Sequence, residues 1–132
     1  MSATRREEVT APGLRPPLGH YAQAVRFGNL LFVTGCTGVT ADGQLVADDV
    51  VEQTRQVFRN LHAILAAAGA SLGDVLKDTI YLTDVSDAPL IDPVRREVFG
   101  QTRPASALVQ VSALAVPGAK VEIDLVAGLA PD

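Results

Sequence analysis

The chain has 132 residues, of which 48% are hydrophobic and 20% charged, which excludes a disordered chain and fits one domain with a sizeable core. A net charge of −4, with no cluster of Lys and Arg interleaved with aromatics, argues against a phosphate-backbone partner, so no nucleic acid is expected. One cysteine excludes an intrachain disulfide, and no stretch reaches the ~18 apolar residues of a membrane span.

In chain order, residues 1–8 are polar and charged, so this end of a single domain spanning 1–132 is expected to be loose. No apolar run follows the basic residues Met1 to Arg6 that could act as a secretory core, so a cytoplasmic location is expected. Residues 11–18 carry three prolines and suit an extended surface segment. Residues 21–27 and 30–34 around Gly28-Asn29 read as a β-hairpin, and Asp42-Gly43 marks a second tight turn.

Residues 49–68 give the clearest pattern. Val50, Thr54, Val57, Phe58, Leu61, Ile64, Leu65 and Ala68 recur at three- and four-residue steps, which predicts a helix with one apolar stripe. Asp49 with Glu52 suits its N-terminus, and Gly69 suits a left-handed stop. Residues 75–83 read as a strand, and Asp92-Pro93 opens a shorter helix ending near Gly100. Residues 105–111 and 120–127, split by Pro117-Gly118, read as the last two strands. The order predicts an α+β fold, a mixed sheet of about six strands with two helices on one face. The other face, expected to carry Phe32, Val109, Val111, Val121 and Ile123, would leave a large apolar patch that a closed homo-oligomer removes.

Few residues carry chemistry on their own spacing. Glu122 and Asp124, two apart on a strand, share a face and read by default as a solvated acidic surface. Gly35 after a strand permits close approach of a ligand or backbone. Cys36 beside it is a nucleophile only if something lowers its pKa, and a free cysteine is usually a small buried hydrophobe. His20 could serve as an acid or base at a cleft mouth, while His62 falls on the polar boundary of the long helix. Two His and one Cys without ligand spacing give no metal site.

Several segments in a fixed order carry more. These are Gly19-His20-Tyr21-Ala22-Gln23-Ala24-Val25, Leu31-Phe32-Val33-Thr34-Gly35, Thr102-Arg103-Pro104-Ala105-Ser106-Ala107-Leu108-Val109-Gln110-Val111 and Lys120-Val121-Glu122-Ile123-Asp124. Together they resemble the Rid family, the reactive intermediate deaminases, also called YjgF-like or L-PSP proteins, over roughly residues 15–129. The resemblance implies a chorismate mutase-like α+β fold assembling as a barrel-like homotrimer with clefts between subunits. It implies cofactor-free hydrolysis of enamines or imines, with Glu122 orienting water and the Gly35 amide holding substrate oxygen. Tyr21, Thr34 and Cys36 would line the cleft.

Ser106 stands where relatives that hydrolyse 2-imino acids have an arginine for the substrate carboxylate. A hydroxyl offers one donor where a guanidinium offers a two-bond fork, so a substrate other than a simple 2-imino acid is expected, such as an aminomuconate-like compound. Arg103, three residues earlier, could restore the lost charge. The alternatives are a non-catalytic trimer that binds small metabolites, or a pathway-specific enzyme using Cys36 or His20.

Overall fold

A computed structural model describes residues 5–130. Six strands, β1 (Arg6–Val9), β2 (Ala24–Phe27), β3 (Leu30–Cys36), β4 (Val75–Leu82), β5 (Ala105–Gln110) and β6 (Val121–Gly128), form one sheet in the order β1-β2-β3-β6-β4-β5. Only β4 and β5 run parallel; the other pairs are antiparallel. A parallel pair needs a crossover. It is made by α2 (Ala88–Phe99), while α1 (Val50–Ala67) connects β3 to β4.

The apolar stripe of α1 does what its spacing predicts. Val57, Leu61, Ile64 and Leu65 are all but inaccessible, packed with Ile91 and Val94 of α2 over Leu31, Ile80, Leu82, Ile123 and Leu125 of the sheet. Each such side chain contributes about 1.5–3 kcal/mol on burial. Asp49 caps α1 by accepting from the Glu52 amide at 2.8 Å, and Gly69 follows its end at φ +77°. The helices meet edge-to-face through Phe58 and Phe99, with ring centroids 5.5 Å apart. The hairpin turn has positive φ at Gly28 and not at Asn29, as a type II′ reversal requires.

Four expectations need correction. Residues 6–8 are not loose but belong to β1, an edge strand paired with β2; residues 1–4 lie outside the described ones. Strand β2 begins at Ala24, so Tyr21 precedes it. Helix α2 begins at Ala88 with Pro89 in its first turn, and Pro93 lies inside it. Val121 and Ile123 are fully buried beneath the helices. The period-two alternation that turns Glu122 and Asp124 to one face sends these neighbours to the other. The open face carries Phe27, Leu30, Phe32 and Val109, each 37–50% exposed.

Candidate functional site

Strand β3 leaves its ladder with β6 through a bulge. Val33 pairs with Leu125 and Cys36 with Ile123, so β3 spends one residue more than its partner across Thr34 and Gly35. Bulges bend a strand and re-aim what it carries. Here the bend brings the bare Cα of Gly35 under the side chain of Glu122, which arrives from β6. Glu122 is half-buried, and its carboxyl is raised above the ordinary range, first by burial and then by the charge of Asp124. Asp124 itself accepts from the Tyr81 hydroxyl at 2.9 Å, which in turn raises the tyrosine.

A cavity of about 360 Å³ opens at this point, lined by Tyr21, Thr34, Gly35, Cys36 and Glu122 together with Arg15, Asn60 and Ile64. Five predicted site residues therefore gather in one place. Tyr21 is half exposed, its hydroxyl accepting from the Leu18 amide at 3.2 Å. Thr34 donates its amide to Gln23 O at 2.9 Å, tying β3 to the segment that carries Tyr21. Cys36 is buried, and burial, then the nearby Glu122 charge, push its thiol up to about 12. A thiol so raised supplies essentially no thiolate near neutrality.

Side chains of α1 hold the cavity's loops. Asn60 Nδ2 donates to Thr37 O at 3.1 Å and to Val39 O at 2.9 Å. Gln53, fully buried, donates to Ala47 O at 2.9 Å and Gly118 O at 3.2 Å, and accepts from the Lys120 amide at 2.8 Å. The side-chain amides of Gln53 and Asn60 thus find partners in the loops they hold, as a rigid polar framework requires.

Other candidates stand elsewhere. His20 is exposed and outside the cavity lining, and His62 is exposed on α1. Among the described residues, no three His, Cys, Asp or Glu side chains gather as a metal site would need. Arg103 is exposed ahead of β5 and does not line the cavity. Ser106 lies on β5, level with Asp78 of β4 on the helix-covered face, opposite to that of Glu122. Within one protomer, neither Arg103 nor Ser106 joins the cavity.

Ser106 nonetheless has a guanidinium beside it. Arg95 of α2 donates from Nη2 to Ser106 Oγ at 2.9 Å and lies 3.8 Å from Asp78 Oδ2. Asp78 is wholly inaccessible, and burial raises its carboxyl, an effect offset only in part by the Ser106 hydroxyl and the Arg95 charge. Sequence reasoning missed this trio because its members meet only through the crossover. It missed Arg15 too, although a lone cation in a proline-rich run six residues ahead of Tyr21 was a usable signal.

Comparison with known proteins agrees with this geometry. Residues 13–129 match the family model described as Endoribonuclease L-PSP. The chain is 42% identical over 110 residues to a RutC family protein of Pyrococcus horikoshii, covering 83% of this chain and 87% of that protein. It is 34% identical over 132 residues to the mouse 2-iminobutanoate/2-iminopropanoate deaminase, covering 99% and 97%. The solved RidA of an Antarctic Psychrobacter superposes with a TM-score of 0.88 at 35% identity, covering 93% and 99%.

Proposed function

Since the chain belongs to the Endoribonuclease L-PSP family, the Rid or YjgF-like proteins known for imine and enamine deamination, we propose that it hydrolyses an enamine or imine without a cofactor. The observation that carries this reading is the half-buried Glu122 carboxylate lining the same cavity as Tyr21, Thr34 and Gly35. Glu122 accepts a proton from a water as that water adds to the C=N carbon. An enamine first takes a proton on its β-carbon to become the imine. Glu122 passes the water's proton to the imine nitrogen, giving a carbinolamine, and then moves the hydroxyl proton to that nitrogen as the C–N bond breaks, leaving a carbonyl and ammonia. The Gly35 amide holds substrate oxygen. A carboxylate raised by burial is suited to both halves of this exchange, because it takes and returns a proton closer to neutrality.

The substrate is not a simple 2-imino acid. The resemblance puts Ser106 at the position of the arginine that grips an α-carboxylate, and here Ser106 faces the helices and bonds Arg95, so no fork from that position enters the cavity. An aminomuconate-like compound, which offers a second carboxylate away from the reacting carbon, is the better candidate. Three chains close their open sheet faces on one another, covering Phe32 and Val109 and forming the clefts between subunits.

The net charge of −4 favours the deaminase over the nuclease that the family's description names. The raised thiol of Cys36 and the exposed position of His20 weigh against chemistry through either. Ammonia release from a panel of enamines and imines tests the reading. Glu122→Gln should slow the release by about 10²–10⁴-fold, and equal rates for variant and wild type would reject it.

A further inference from the structure

Antiparallel pairing of β4 with β6 sets Tyr81 directly across from Glu122 and Thr79 across from Asp124. All four are partly buried and share the open face, because residues two apart on a strand point to the same side. The Tyr81 hydroxyl reaches the diagonal neighbour, donating to Asp124 Oδ2 at 2.9 Å. A hydroxyl has one proton to give, so the carboxylate opposite Tyr81 is left to accept from other groups.

Residues two apart on a strand are separated by about 7 Å, so the two carboxylates of β6 repel each other. Neither forms a salt bridge among the described residues. Of the groups packed around them, Cys36 comes from β3 and Tyr21 from the segment ahead of β2. Lys77 lies further along the same face of β4, Arg15 rests against the Gly43 turn, and Asp78 stands on the other side of the sheet. An aspartate with no partner here would turn away from Glu122. The bond to Tyr81 opposes that turn, and it raises the tyrosine hydroxyl, as do burial and then the charges of Asp124 and Glu122.

We propose that Tyr81 is a positioning residue, whose hydroxyl keeps the Asp124 carboxylate beside Glu122 and so sets how strong a base Glu122 is. The inference rests on the deaminase reading above and assigns part of that base strength to a residue outside the cavity. A second negative charge held close favours the protonated form of Glu122. With the bond removed, repulsion turns Asp124 outward. A retreat of about 1 Å from roughly 6 Å, at an effective dielectric of about 20, weakens that influence by about 0.3 pH unit.

The test titrates Glu122 directly, by carboxyl NMR of protein carrying isotope-labelled glutamate. Glu122→Gln identifies the resonance, and the melting temperature is followed on every variant. Tyr81→Phe, which removes only the hydroxyl, should lower the Glu122 midpoint by about 0.3 pH unit. In an Asp124→Asn background the same substitution should add no shift, because the charge that Tyr81 positions is gone. The acid limb of ammonia release should follow the midpoint in each variant. An unmoved midpoint in Tyr81→Phe, with or without a lower melting temperature, overturns the proposal. So does a shift to higher pH, or an equal shift in both backgrounds. Midpoints that move as stated, in a protein that releases no ammonia or whose acid limb does not follow, sustain the coupling and remove the deaminase reading through Glu122 alone.

Discussion

Gly35 carries the Glu122 side chain on its bare Cα: a β-carbon at position 35 would lie 3.0 Å from Glu122 Cδ and 3.2 Å from Cγ. The backbone there is not left-handed, so Gly35→Ala adds bulk without backbone strain. The methyl must push the carboxylate off its position. A shift of that kind costs about 10²-fold in turnover, while the melting temperature changes little. Ammonia release and thermal unfolding on one preparation check both halves; full activity in Gly35→Ala would mean that the carboxylate is not held for catalysis.

The acid limb of the pH–rate profile follows from the charge on Glu122. The carboxylate must be deprotonated to accept a proton, so activity falls as pH drops through its raised pKa, above the ordinary value of about 4.3. Part of the shift comes from Asp124. Asp124→Asn should therefore move the limb to lower pH while keeping turnover at the plateau. Glu122→Gln should cost about 10²–10⁴-fold on the plateau, with the gap closing on the acid side where wild type loses the same base.

Cys36 should prove inert. With its thiol pushed up to about 12 and buried, iodoacetamide should modify the native protein far more slowly than the unfolded chain. Cys36→Ala should keep activity within a few-fold. A large loss there, with the fold intact, would restore the thiol to the chemistry.

Asp78 sets a pH dependence of stability opposite to that of most acidic residues. Its folded-state pKa lies above the unfolded value, so its stabilising contribution is complete below about pH 4 and is lost as pH rises through the raised value. Asp78→Asn should melt higher than wild type at neutral pH, with the gain shrinking towards pH 4. Arg95→Met, which removes the cation 3.8 Å from Asp78, should melt lower, by up to about 3 kcal/mol of stability at neutral pH.

The open sheet face gives a further test. Phe32, 48% exposed on β3, sits in the middle of that face opposite Val25 and Val126. Phe32→Glu should convert a particle of three chains into one of 13.8 kDa by light scattering. A wild type already at the single-chain mass would remove the trimer.

The parts legible in the sequence were those where one local signal dominates. The stripe from Val50 to Leu65 announced α1, and Asp49 and Gly69 its two ends. Gly28 and Gly43 announced their turns. Elsewhere two signals competed. Pro89 and Pro93 both suit a helix start, and the first-turn position went to the earlier one. Arg6, Glu7 and Glu8 are charged as a loose end would be, yet an edge strand tolerates charge because one side of it faces solvent. At the site, Glu122, Gly35 and Tyr21 were found through ordered motifs. Arg15 and the Asp78, Arg95 and Ser106 trio are contacts between segments, which no periodicity encodes.

Gln53, in the first turn of α1, ties down the segment at Ala47 and the loop at Gly118 and Lys120, and Asn60, about two turns further on, ties Thr37 and Val39. Substrate therefore meets walls already in place and need not order them. Association should show the heat-capacity change of apolar burial alone, without the added signature of coupled folding. Product escape should not wait on a lid, so raising solvent viscosity should slow only the diffusional encounter and leave the plateau rate to the chemistry.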